Sequence, residues 1–248
     1  MIDLKNKVVV VTGGNGLIGS AIVKELLNKN SLVISVDLIP GVLHHDNLDQ
    51  FICDLTDEKE VNKLFKYIST KYTKCDGWVN NAYPRTKDWG NKLEDVVYES
   101  WRKNVDMQLN SYFLCSQKAL ELMKPKKSGS LVNIASIYGV VGPNFNVYEG
   151  TPMTMPVAYS AIKGGVVNLT KYFASYYGKS RLRVNTVSPG GIFDNQPQKF
   201  VENYNKICPF GEMGTKEDVA KAVTYLLSDY SSYISGHNLI VDGAWTSI

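Results

Sequence analysis

The sequence holds few cysteines and gives them no pattern: Cys53, Cys75, Cys115 and Cys208 lie far apart, with no C-x-x-C pair. That spacing argues against disulfides and fits reduced thiols in a cytoplasmic protein. No apolar run approaches membrane-spanning length, and the residues after Met1 lead into a tetrad too short for the core of a signal peptide. No membrane partner is expected. Neither sign of charge dominates: 27 basic and 24 acidic residues give a formal +3, and only Lys124 to Lys127 cluster, so a nucleic-acid partner is not indicated. His44 and His45, beside Asp46, read as a solvated loop, and no metal site is expected. Linkers, repeats and low-complexity tracts are also missing. A chain of 248 residues, 44% hydrophobic, then suits one α/β domain spanning 1–248.

What is present alternates. Val8-Val9-Val10-Val11 is a continuous β-branched run, as a strand covered on both faces requires. The turn Gly13-Gly14-Asn15-Gly16-Leu17-Ile18-Gly19 follows, then a helical stripe of Ile22, Val23, Leu26 and Leu27. Glycines between a strand and a helix let the backbone approach a pyrophosphate at the amide-rich helix N-terminus, and Gly19 permits close packing of that helix on the sheet. A second strand, Leu32 to Val36, ends in Asp37, 18 residues past Gly19, where a carboxylate accepts hydrogen bonds from an adenosine ribose. The series predicts dinucleotide binding. Asp37 repels a 2′-phosphate and Leu38 supplies no cation to hold one, so NAD is expected rather than NADP.

Further strands are predicted at Phe51 to Leu55, Asp76 to Val79, Ser130 to Ala135, Leu182 to Val187 and Asn238 to Gly243. Helices are predicted from Thr56, over 94–123, over 157–178 and over Val219 to Leu227. Strands alternating with helices predict a doubly wound, mainly parallel, seven-stranded Rossmann sheet with its ligand loops at the carboxyl ends.

Tyr-x-x-x-Lys occurs three times: Tyr67 with Lys71, Tyr83 with Lys87, and Tyr159 with Lys163. On a helix, four residues place the two side chains on one face. A nearby ammonium favours the phenolate and brings a tyrosine toward acid–base work at neutral pH. The first pair reads as a helix surface pair. Tyr159 is singled out by its surroundings, with Ser136 closing a strand 23 positions upstream.

These landmarks, with Thr12, Asp54-Leu55, Asn80-Asn81-Ala82, Asn185, Pro189-Gly190 and Asp242-Gly243, make nearly the whole chain resemble a short-chain dehydrogenase/reductase. The resemblance implies that Ser136 hydrogen-bonds the substrate oxygen, that Tyr159 exchanges its proton, and that Lys163 lowers the tyrosine's pKa and holds the nicotinamide ribose. It implies that Asp54 and Leu55 flank the adenine, that Asn80, Asn81 and Ala82 line the cofactor, and that Pro189, Gly190 and Ile192 meet the nicotinamide. A homodimer or homotetramer joined through the long helices is implied as well.

Four features depart from the family pattern. The glycine spacing is that of longer family members. Gln108, rather than Asn110, aligns with the usual catalytic asparagine, which puts the proton relay through that helix in question. Tyr83 replaces the glycine that follows Asn-Asn-Ala, and Asp194 stands where a hydroxyl residue is usual. An insertion at about 143–156 lies between Ser136 and Tyr159. Phe145 and Tyr148, interleaved with polar residues, together with Arg85, Lys87 and Asp194, suit a sugar, a sugar phosphate or a nucleotide-linked sugar. The run Tyr148-Glu149-Gly150-Thr151-Pro152-Met153 is similar to family members associated with flagellin glycan modification. A general carbonyl or 3-oxoacyl reductase and a non-catalytic NAD-binding sensor are the alternatives.

Overall fold

The computed structural model describes residues 2–248. In chain order its strands and helices are β1 (Val8–Thr12), α1 (Leu17–Asn28), β2 (Leu32–Asp37), β3 (Leu48–Ile52), α2 (Glu58–Lys71), β4 (Gly77–Asn80), α3 (Tyr98–Val105) and α4 (Ser111–Met123), then β5 (Gly129–Ile134), α5 (Val157–Tyr177), β6 (Leu182–Pro189), α6 (Gln198–Ile207), α7 (Lys216–Leu227) and β7 (Asn238–Val241). All seven strands form one sheet in the order β3-β2-β1-β4-β5-β6-β7, and every pairing is parallel. The order reverses between β1 and β4, which opens a crevice at their carboxyl ends.

Period-two alternation divides the valine run of β1 between two cores. Val8 and Val10 join the α2, α4 and α5 side with Leu64, Leu120 and Phe173, while Val9 and Val11 join the α1 and α7 side with Ile22, Leu26, Val223 and Leu226. Each such side chain, removed from water, contributes about 1.5–3 kcal/mol. A third apolar cluster lies outside both layers and joins Ile137, Tyr138, Val147, Tyr148, Phe200, Tyr204, Cys208, Met213 and Trp245.

Three elements differ from expectation. β3 lies at Leu48–Ile52 instead of Phe51 to Leu55, in register with Val33–Asp37 of β2. It is an edge strand with one neighbour, so it tolerates Asp49 and Gln50, whose side chains are satisfied locally. Asp49 accepts from Lys71 Nζ at 2.5 Å and from the Tyr67 and Tyr72 hydroxyls, and Gln50 bonds the backbone of Gly41 and Leu43. The Tyr67–Lys71 pair therefore tethers a strand edge. The helix expected over 94–123 is broken: α3 and α4 are joined by a π-helical turn, Asp106–Asn110, and the Ser111 hydroxyl donates to Met107 O at 2.6 Å within it. Finally, α6 is missing from the expected elements, although Phe200, Val201, Tyr204 and Ile207 recur at helical spacing along its ten residues and pack on the third cluster.

Candidate active site

β1 delivers the chain to Gly13 with φ +63°, and a Cβ there would stand 2.8 Å from the Ala82 Cα. At Gly19 a Cβ would stand 2.0 Å from Gly13 O, so only glycine lets α1 pack this close. Thr12 stitches the two sides of the crevice. Its hydroxyl donates to Val79 O at 3.2 Å and accepts from the amides of Asn81 and Ala82, while Asn81 Nδ2 donates to Thr12 O and Gly13 O at 3.0 Å each. α1 carries no side-chain cap and no acidic residue in its first turn, leaving its N-terminal amides to an anion. At the end of β2, Asp37 accepts from Asn15 N at 2.9 Å and Leu38 N at 2.8 Å. Leu38 and Ile39 are exposed beside it.

One cleft of about 880 Å³ runs from this turn to the end of β5. Gly13, Asn15, Gly16, Leu17, Ile18, Asp37, Leu38, Asp54 and Leu55 line one end; Asn81, Ala82, Tyr83, Pro189, Gly190 and Ile192 line the middle; Ser136, Tyr159 and Lys163 line the floor, with Arg85, Tyr148 and Asp194 also at the wall. Gly19 packs behind the turn.

Four sequence candidates lie elsewhere. Asn80 is buried and turned into the sheet, accepting from Trp78 Nε1 at 2.7 Å and donating to Ser116 Oγ and Asn133 Oδ1 at 2.8 Å each. Phe145 is 57% exposed and packs on Tyr148 with ring centroids 6.2 Å apart. Lys87 is exposed and contributes nothing to the wall. Gln108 is buried in the π turn, and its Nε2 has no hydrogen-bond partner among the described residues.

Ser136, in extended backbone at the end of β5, accepts from Tyr138 N at 3.2 Å. Lys163 is 5% exposed; its ammonium donates to Ile134 O at 2.9 Å and lies 5.5–5.6 Å from the ring centroids of Tyr83, Tyr112 and Tyr159. Burial drives its pKa down to about 7. Burial also raises the Tyr159 phenol above its ordinary 10; the hydrogen bond from Ser136 opposes that rise and Tyr138 adds to it. Tyr159 thus stands above its ordinary value, opposite to the expected lowering by Lys163, because the same desolvation that raises the phenol also weakens the ammonium. Tyr83 and Trp89 wall this floor edge-on, with Tyr83–Tyr159 centroids 5.8 Å apart and Trp89–Tyr159 6.3 Å apart.

Tyr138, Phe200, Tyr204 and Met213 of the wall escaped sequence reading, while Met153 and Met155 fall in the insertion already expected to lie over the site. Tyr138 was within reach, two residues past Ser136; the others depended on recognising α6. Among the described residues no group of three His, Cys, Asp or Glu is arranged to hold a metal, and no helix is long and apolar enough to cross a membrane.

A groove at the switch point of a parallel sheet, running from a glycine turn to a Ser–Tyr–Lys floor, is the site of a nicotinamide-dependent oxidoreductase. The family model described as enoyl-(acyl carrier protein) reductase matches residues 18–246, and the chain belongs to the short-chain dehydrogenase/reductase family. It is 33% identical to the post-translational flagellin modification protein A of Campylobacter coli, over 98% of this chain and 99% of that one. It is 31% identical to a 2,5-dichloro-2,5-cyclohexadiene-1,4-diol dehydrogenase of Sphingobium indicum, over the whole of both chains. Among solved structures, a short-chain dehydrogenase from Leptospira borgpetersenii with bound NAD+ superposes with a TM-score of 0.91 at 33% identity, covering 98% of this chain and 94% of that one.

Proposed function

We propose that the protein is an NAD-dependent oxidoreductase that interconverts a secondary alcohol and a ketone on a sugar, a sugar phosphate or a nucleotide-linked sugar, as a step in surface-glycan biosynthesis. The observation that carries the reaction is the placement of Ser136, Tyr159 and Lys163 on the floor of the same cleft whose far end is built by the glycine turn and Asp37. In the oxidative direction Ser136 donates a hydrogen bond to the substrate oxygen, and Tyr159, as phenolate, takes the hydroxyl proton. A nicotinamide cofactor held along the cleft by the glycine turn and the Pro189–Ile192 loop would supply the hydride acceptor. The products are the ketone, reduced cofactor and one proton. Lys163 stands beneath Tyr159 to stabilise the phenolate, and an anionic cofactor in the cleft favours its charged form. Tyr83 and Trp89 pack edge-on against the Tyr159 ring and fix its position.

Support for NAD over NADP comes from the Asp37 carboxylate beside exposed Leu38 and Ile39, neither of which could hold a 2′-phosphate. Support for a sugar comes from the mouth, where Arg85, Asp194 and Gln196 stand with the phenols of Tyr138 and Tyr148, and from the flagellin-modification relative. Arg85, without Lys87, is the cation left for an anionic group. The four cysteines are free and buried, in keeping with a cytoplasmic location. Phe113, Tyr172 and Tyr176, exposed on α4 and α5, fit association into a dimer or tetramer.

A second reading is favoured by Met153, Met155, Met213 and Phe200, which make part of the wall apolar and suit a cyclic secondary alcohol such as the one named for the Sphingobium relative. Turnover compared on nucleotide-linked sugars and on cyclohexanols separates the two. The sugar reading expects kcat/KM at least tenfold higher on a sugar, and it fails if cyclohexanols are preferred.

A further inference from the structure

The loop after β6 and the helix α6 meet at one side chain. Tyr204 is 2% exposed, and its hydroxyl accepts from Gly191 N at 2.7 Å. The loop is shaped for this contact: a Cβ on Gly190 would stand 2.9 Å from the Tyr204 hydroxyl, and one on Gly191 would stand 2.6 Å from its ring. From the other side Tyr204 is held by the C-terminal segment. Asp242 accepts from Ala244 N at 3.0 Å and from Thr246 N and Oγ1 at 2.8 Å each, a fold-back that stacks Trp245 on Tyr204 with centroids 4.3 Å apart. The preceding residue faces the insertion: Asn203 Nδ2 donates to Glu149 O at 2.9 Å and Val147 O at 3.4 Å, and Phe200 packs on Tyr148 with centroids 5.4 Å apart.

We propose that Tyr204 is a positioning residue that locks the Pro189–Ile192 loop to α6, and that α6 in turn holds the 143–156 insertion, so the nicotinamide side and the substrate side of the cleft are ordered as one unit. This rests on the cleft being the dinucleotide and substrate site. Removing the hydroxyl takes the side-chain partner from the part-buried Gly191 amide and frees the loop from α6, whereas the stack on Trp245 is indifferent to it. The role therefore lies in the hydroxyl and not in the ring.

The test uses the full chain, with NADH as probe. Tyr204→Phe is expected to keep the wild-type melting temperature within a few degrees, to raise the NADH Kd about tenfold as the Pro189–Ile192 loop loses its hydrogen bond to α6, and to uncouple the two sides. In wild type, saturating NADH slows amide exchange in 143–156; in Tyr204→Phe, saturated at higher concentration, that slowing is lost. Asn203→Ala separates the halves of the unit: NADH affinity stays within twofold of wild type while protection of 143–156 disappears. A Tyr204→Phe protein with wild-type NADH affinity and undiminished protection overturns the inference and leaves the dehydrogenase reading standing. A wild-type chain that binds no NADH overturns both.

Discussion

Lys163 is the residue where folding and reactivity meet. Burial depresses its ammonium from the ordinary 10.5 to about 7, so above that value the folded chain has released a proton that the unfolded chain still holds. Stability of the ligand-free protein therefore rises with pH from about 7 upward and is lost as pH falls back through that window. Between about pH 7 and 8.5, below the range where exposed cysteines ionise, Lys163→Met should flatten the rise in urea midpoint; an unchanged slope would show that Lys163 is not its source. Asp37 poses a separate question at the same scale. Asp37→Ala combined with Leu38→Arg removes the repulsion and adds a cation, and should move the NADP/NAD ratio of kcat/KM upward by about tenfold or more, one strong charge contact being worth more than 1.4 kcal/mol.

At the scale of elements, the strand–turn–helix unit depends on a single missing methyl. Gly19→Ala would bring a Cβ to 2.0 Å from Gly13 O, and overpacking of this kind costs about 1–3 kcal/mol. The variant should melt several degrees lower and bind NADH at least tenfold more weakly by fluorescence titration; wild-type binding would show that the turn relaxes at no cost. This unit was legible in the sequence because each part is local: a valine run, glycines forced by close approach, a helical stripe and an acid at the next strand end. Ser136, Tyr159 and Lys163 were legible for the same reason, one closing a strand and two spaced by a helical turn. The misses have physical causes too. β3 is polar because an edge strand needs only one neighbour. The helix over 94–123 is interrupted by a π turn whose residues have ordinary helix propensity. α6 does carry a helical stripe, Phe200, Val201, Tyr204 and Ile207, but its partners Tyr148 and Trp245 lie more than 40 positions away in sequence, and no local pattern announces where it docks. Asn80 lay in a legible motif, yet its side chain serves the sheet instead of the cleft.

The whole molecule presents one uninterrupted parallel sheet with its cleft at the switch point and an aromatic face on α4 and α5. Phe113, Tyr172 and Tyr176 are 44%, 61% and 65% exposed there, a concentration of apolar surface that a second copy would cover. Sedimentation equilibrium should give a dimer or tetramer at micromolar concentration, and Tyr172→Glu combined with Tyr176→Glu should shift it toward monomer. A wild-type monomer would contradict the assembly. The central claim concerns the cleft, and the most direct test is reduced-nicotinamide absorbance with NAD and a panel of UDP-, GDP- and CMP-linked sugars, sugar phosphates and cyclohexanols, run on wild type and Tyr159→Phe together. The account predicts turnover on a sugar substrate that falls by about 10²–10⁴ in Tyr159→Phe while NADH binding persists. Equal turnover by the two proteins would contradict it.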